Sequence, residues 1–340
     1  MNMNFGANKK LFLAAPSDFE INKRIKQNLE KFGFEVILHT YIYRWSIPPK
    51  DIIIHNYKKI IHKDRTYKTE IRKVRNEEWQ KKYEQSIASD HKHFDYALFI
   101  RPDQYSLEFV KSIVAISDVS AAYQWDGMDR FPEVKEYTNL FSRFFVFDEH
   151  DLEAYPSFHF ITNFYFEKNT SEDNIQDIFF IGSYLPERKE LLNKVTKRFK
   201  HTGLRTNINI FSLDKKLRKE KNIFNIVDRF FTFEENQENV KKSKFVLDIS
   251  NSVHHGLSFR TFESLGYKKK LITNNALVKQ YDFYNPNNIF VFEDYEMKGL
   301  EEFIKTPYED IPEDVYNKYS FENWIKYIFK IHPFTEITRP

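Results

Sequence analysis

The sequence predicts an α/β protein built as two tandem doubly wound domains, and three observations carry that prediction. At 340 residues the chain exceeds the size at which single hydrophobic cores stop growing, so two domains are expected. Short apolar runs of strand length alternate with segments of helical period, the pattern of a parallel sheet with helices on its faces. After a polar segment at 166–176 the same alternation starts again.

In the first half, "KKLFLAAPS" (9–17) reads as a buried strand, and 18–33 as a helix with Asp18 near its start and Gly33 as its stop. Strand 34–40 completes a βαβ unit. The long polar stretch 56–93 is expected as helix plus a mobile loop. Strand 95–101, helix 106–117, strand 119–125, helix 131–141 and strand 143–148 follow. In doubly wound sheets ligands lie beyond the carboxyl ends of the strands. Asp18, Arg101, Asp103, Asp126 and Asp148 all fall at or just after such ends.

In the second half, strand 177–182 leads into helix 187–200, then strand 207–213 and helix 234–243. Strand 244–250, a loop and short helix, and strands 269–274 and 288–294 come next. The tail "YSFENWIKYIFKIHP" (319–333) has apolar residues at helical spacing. The expected organisation is a Rossmann-like domain over 1–165, a second over 177–318, and a final helix within 319–340 that packs across both.

Composition narrows the function classes. The chain contains no Cys, which excludes a disulfide framework, a thiolate nucleophile and Cys-ligated zinc, and suits a reducing compartment. The apolar run Leu11–Ala15 is too short for a signal peptide, and no stretch approaches the ~20 apolar residues of a membrane span. A cytoplasmic location is expected, with the inner face of the membrane as the alternative. With 52 basic against 49 acidic side chains the charge is nearly balanced, which argues against nucleic acid as a partner. The basic runs 194–200 and 214–222 are read first as solvated faces and second as sites of attraction to anionic lipid or phosphate.

The densest chemistry lies in "HHGLSFRTFESLGYKKKLITNN" (254–275), where a strand, a loop with Gly256 and a helix beginning near Ser258 follow one another. The first N–H groups of a helix have no intrahelical partner and carry the positive end of its dipole, so a phosphate suits them. Gly256 permits close approach, and His254 or His255 can donate to a phosphate oxygen or a sugar hydroxyl. Arg260 offers a fork of donors to phosphate, and Glu263, three residues on, can accept from a ribose diol. The structural alternatives are a Ser258 cap and an Arg260–Glu263 salt bridge worth a few tenths of a kcal/mol.

This stretch, with "FIGSYLPERKELLNKV" (180–195), resembles the nucleotide-sugar half of GT-B glycosyltransferases, in particular the bacterial lipopolysaccharide and capsule enzymes akin to spore-maturation glycosyltransferases. "YQWDGMDRFPEVKEYTNLFSRFFVFDEHDLEAY" (123–155) resembles their acceptor half, and the likeness covers roughly residues 95–310. It implies two Rossmann-like domains facing a central cleft. It also implies a nucleotide-sugar donor whose diphosphate is held by Gly256, Leu257, Ser258 and Phe259 at the helix start, and whose ribose is held by Glu263. A glycan or lipid-linked glycan acceptor and peripheral membrane association are implied as well. Related retaining enzymes carry a second glutamate before the helix; the position eight before Glu263 is His255, which leaves retention or inversion open.

Two further constellations complete the site. The resemblance implies that the loop of Gly182 and Ser183, with Arg188 behind it, faces the donor, the alternative being an ordinary helix-start turn with a solvated Arg. Asp126 in "QWDGMDR" is a candidate general base for the acceptor hydroxyl, with Asp18 as its rival, although Asp-Gly is also a strong turn dipeptide. The sequence has no Asp-x-Asp, His-Glu-x-x-His, Walker loop or Gly-x-Gly-x-x-Gly, so no metal or cofactor is expected. The resulting expectation is a metal-independent glycosyltransferase in cell-surface polysaccharide or lipopolysaccharide synthesis. The alternatives are a nucleotide-sugar epimerase or phosphorylase on the same plan, or a non-catalytic glycan-binding partner.

Overall fold

The computed structural model describes residues 4–42, 45–89, 93–168, 175–219, 222–250 and 256–340. The chain divides into two compact units, Met1–Phe160 and Ile161–Pro340, each with its own parallel sheet.

The first unit runs β1 (Lys10–Pro16), α1 (Ile21–Lys31), β2 (Glu35–Tyr41), α2 (Pro49–Ile61), α3 (Tyr67–Ser89), β3 (Phe94–Ile100), α4 (Leu107–Ala115), β4 (Ser117–Gln124), β5 (Arg143–Val146), α5 (Glu149–Ala154) and β6 (His159–Phe160). The strands lie in the order β2-β1-β3-β4-β5-β6, all parallel. The run Leu11–Ala15 is buried on both sheet faces, as a central parallel strand must be. Phe12 anchors an aromatic core, its ring 5.3 Å from Phe94, 5.8 Å from Phe99 and 6.1 Å from Phe109. Gly33, at φ +95°, ends α1 where a side chain would be strained.

The second unit runs β7 (Gln176–Ser183), α6 (Pro186–His201), β8 (Thr206–Phe211), α7 (Lys215–Lys219), β9 (Asn225–Val227), α8 (Phe233–Lys241), β10 (Ser243–Asp248), α9 (Phe259–Gly266), β11 (Lys270–Thr273), β12 (Ile289–Val291), α10 (Leu300–Lys305), α11 (Glu313–Lys318) and α12 (Phe321–Phe329). Its order, β12-β11-β10-β7-β8-β9, is the nucleotide-binding order of a Rossmann sheet: third, second, first, fourth, fifth and sixth when read from the β9 edge. The period of two is visible in the packing. Ile178, Phe180, Phe245 and Leu247 enter one core, and Phe179 and Val246 enter the other on the opposite face. Thr232 and Glu235 close a capping box at the start of α8. On α12, Trp324 is fully buried and its indole N–H donates to the Thr162 carbonyl at 2.9 Å.

Three segments differ from the sequence expectation. Helix 131–141 is a 3-10 helix over Pro132–Leu140, because Val134 and Tyr137, three apart, are the buried pair and a three-residue turn puts both inward. In the polar stretch 56–93, residues 56–61 belong to α2 and 67–89 to α3, joined by a turn in which Asp64 accepts from the Thr66 N–H at 2.8 Å. β6 and β9, of two and three residues, are edge strands too short to show a period. Among the described residues no helix is long and apolar enough to cross a membrane.

Candidate functional site

In a doubly wound sheet the crevice for a ligand opens where the strand order reverses. In the second unit that point lies between β7 and β10, which are hydrogen-bonded neighbours with helices departing in opposite directions along the sheet. Arg260, the second residue of α9, reaches over this point. One guanidinium nitrogen donates to the Ile181 carbonyl near the end of β7, and the other lies 3.3 Å from Oδ1 of Asp248, the last residue of β10. Asp248 is 1% exposed and its other oxygen accepts from the Thr273 hydroxyl at 3.4 Å, so the acid is a fixed counter-charge and positions the arginine. The guanidinium rests over the Phe180 ring, 5.0 Å from its centre. Gly182 makes that possible: a Cβ there would stand 3.0 Å from the Phe180 ring.

Helix α9 starts at the same place. Ser258 holds the N-cap position with extended backbone, but its hydroxyl does not cap: it is buried with no hydrogen-bond partner, as is the Nε of Arg260. The Ser258 cap, the structural alternative for this residue, is therefore absent. The loop before it is pinned from both sides, the Gly256 carbonyl accepting from Asn275 at 3.0 Å and the Leu257 carbonyl from Asn163 at 3.1 Å. Phe259 packs edge-on to Phe164 and Phe233, so its side chain serves the core while its N–H stays at the helix mouth. His254 and His255 lie outside the described residues.

Glu263 does not pair with Arg260. Its two oxygens sit 3.1 and 3.0 Å from the side-chain amide nitrogen of Asn236 on α8, and at 2% exposure its carboxyl is pushed up to about 7. Burial is the main cause, opposed by the Arg260 charge and the Asn236 hydrogen bond. Ser183 ends β7 in solvent, and Arg188 is half-buried in the first turn of α6, where its N–H donates to the Leu185 carbonyl at 3.0 Å. Among the described residues no three His, Asp or Glu side chains gather in a way that could hold a metal ion.

The first sheet reverses between β1 and β3. Asp18 begins a 3-10 turn two residues beyond the end of β1 and is half-buried. Arg101 follows β3 in the left-handed region, at φ +60°, and its side chain is almost wholly buried. It grips Asp103 with two bonds of 2.8 and 2.6 Å, holds Oδ2 of Asp126 at 2.5 Å and stacks on Phe131 at 3.7 Å. Oδ1 of Asp126 takes a second guanidinium, Arg130, at 2.9 Å. Asp126 thus stands at the strand end as expected, with both oxygens engaged. Asp148 is a helix cap, accepting from the His150 N–H at 3.0 Å.

Sequence reasoning passed over two residues. Asp248 reads as one acid at the end of an apolar strand, and only its pairing with Arg260, twelve positions on, gives it a role. Gln124, the last residue of β4, is completely buried with neither amide atom hydrogen-bonded, an unusual cost for a core position.

No family model matches the sequence, and no curated protein does. Solved structures with a similar backbone include the apo form of the lipopolysaccharide outer core galactosyltransferase WaaB (10% identical, TM-score 0.48, covering 94% of this chain and 99% of that one). A glycosyltransferase from Rickettsia africae is 14% identical, with a TM-score of 0.49 over 93% of this chain and 95% of that one. The UDP-GlcNAc 2-epimerase from Methanocaldococcus jannaschii is 12% identical, with a TM-score of 0.47 over 88% and 94%.

Proposed function

We propose that the chain is a metal-independent glycosyltransferase of the GT-B type, taking its sugar from a nucleotide donor held at the β7/β10 switch point. The acceptor in this reading is a glycan or lipid-linked glycan, in cell-surface polysaccharide or lipopolysaccharide synthesis at the cytoplasmic side of the membrane. One observation carries it: at the reversal of a Rossmann-ordered sheet, a helix start, an unpartnered Ser258 hydroxyl and an arginine braced on Asp248 come together.

In transfer, the bond from the anomeric carbon to the donor phosphate breaks while a bond to the acceptor oxygen forms. The first N–H groups of α9, Ser258 and Arg260 hold the departing phosphate charge, the preorganised stabilisation that a metal supplies elsewhere. Gly182, Ser183 and Arg188 border the same sheet end. Glu263, its carboxyl pushed up to about 7 and so roughly half protonated at pH 7, would accept from or donate to the ribose after a shift of the α8–α9 contact. The acceptor proton passes to a carboxylate of the first unit. The candidates for this are Asp126, whose two oxygens are held by Arg101 and Arg130, and Asp18.

A thermal-shift panel of UDP, GDP, ADP and CMP tests the reading. One nucleotide should raise the melting temperature in proportion to the logarithm of its concentration, and its sugar conjugate should be consumed in excess chelator. Stabilisation by none of them would remove the donor site; activity only with added divalent ion would remove the metal-independent mechanism.

A further inference from the structure

The crossover from β2 to β3 carries one helix more than it needs. α3 is the helix that closes onto the sheet: Asn76, Gln80 and Ile87 are buried, and the Tyr83 ring packs 5.9 Å from Phe12. α2 sits on α3 with its polar side inward. Asp51 is buried and accepts from the Tyr67 hydroxyl at 3.1 Å, and the Lys58 ammonium lies 4.5 Å over the Tyr67 ring. At helical spacing the opposite side is Ile53, Tyr57, Ile60 and Ile61, which are 70, 58, 73 and 60% exposed. The helix is amphipathic the wrong way round for a protein in water. A contiguous apolar stripe of this kind marks a surface that meets something else.

Charge identifies what it meets. Residues 49–75 hold nine basic and three acidic side chains, whereas the whole chain is nearly balanced at 52 and 49. A second copy would bring two such positive regions face to face, which repels. An anionic lipid surface suits both features, the isoleucines entering the acyl boundary and the lysines meeting headgroups. At 13 residues, ~20 Å long, α2 is too short to span a bilayer and long enough to lie in its surface.

We propose that α2 is a membrane-surface anchor, docking through Ile53, Tyr57, Ile60 and Ile61 onto anionic lipid. The proposal is independent of the donor site. Vesicle flotation tests it with the full chain. The wild type should float with phosphatidylcholine vesicles containing phosphatidylglycerol and stay behind with phosphatidylcholine alone. Ile53→Glu with Ile60→Glu, and separately Lys50→Glu with Lys59→Glu, should each weaken binding roughly tenfold or more at unchanged melting temperature. If the glutamates unfold the chain, Ile53→Ser with Ile60→Ser gives the same readout. The proposal fails if the wild type ignores anionic vesicles, binds neutral ones equally, or binds as well after the isoleucine changes. It fails equally if the isoleucine changes instead split a dimer of a protein that does not bind vesicles.

Discussion

The carboxyl ends of the two sheets are both furnished with arginine and carboxylate, and they are finished in opposite ways. In the first unit Arg101 spends its guanidinium on Asp103 and Asp126, and Asp126 takes a second guanidinium from Arg130. The charges there satisfy one another. In the second unit Arg260 is braced by one carboxylate and one carbonyl, its Nε is unused, and the Ser258 hydroxyl beside it bonds nothing. An ion-pair cluster that closes on itself builds a wall, whereas an arginine held from behind with an unused donor suits the anion-binding role proposed for it.

If that contrast is right, breaking the first cluster costs stability. Arg101→Ala strands Asp103, 7% exposed, and leaves Asp126 with Arg130 alone; removing one partner of such a buried pair costs ~3–5 kcal/mol. Urea unfolding should show that loss; a variant as stable as the wild type would make the cluster a surface ornament.

Asp18 and Asp126 are the two candidate bases of the first unit, and Asp126 is the one gripped by two guanidiniums. Asp18→Asn should lower transfer ~10²–10⁴-fold with donor affinity unchanged, as for a lost general base. Asp126→Asn should act mainly on stability. The reverse pattern in steady-state kinetics would return the base to Asp126.

The units should also answer pH in opposite senses. His39, 2% exposed and ringed by Phe12, Trp79, Tyr83, Tyr105 and Phe109, has no partner for either ring nitrogen, and burial lowers its pKa from 6.5 to about 4. The unfolded chain binds its proton more readily, so this contribution is full above pH 6.5 and is lost as pH falls through 4, by ~3 kcal/mol at most. Glu263, raised from 4.5 to about 7, binds its proton more readily when folded. Its contribution is full below pH 4.5 and is lost as pH rises through 7, by a similar ~3 kcal/mol. His39→Leu should flatten the first slope and Glu263→Gln the second in unfolding free energies taken from pH 4 to 8. Variants whose curves run parallel to the wild type would contradict both assignments.

The smallest expected effect is the most specific. A capping serine replaced by alanine typically costs ~1 kcal/mol, but Ser258 caps nothing, so Ser258→Ala should change stability by less than ~0.5 kcal/mol while weakening nucleotide binding. A full capping loss without a binding defect would assign Ser258 to the fold.

The contrast also shows what a sequence can disclose. Central strands such as Leu11–Ala15 and Phe245–Leu247 are apolar runs between helices of clear period, so the two sheets are legible locally. The stretch 254–275 announced its chemistry because donors and glycine sit side by side. Partnership across the sheet was not legible. Arg101 and Asp126 are 25 positions apart, Asn236 and Glu263 are 27, and the Arg260 contact with Ile181 spans 79. Nothing local marks Asp126 as engaged or Ser258 as unused. The inverted polarity of α2 is present in its sequence, yet only α3 packing on one side shows which face is outward.

The claim that the second sheet end is the receiving one is tested most directly by calorimetry with the nucleoside diphosphate that stabilises the wild type. Arg260→Ala removes a charged donor worth ~1.5–3 kcal/mol and should weaken binding roughly 10- to 150-fold, while Asp18→Asn stays within about twofold of wild type. Wild-type affinity in folded Arg260→Ala, or an equal loss in Asp18→Asn, would contradict the account.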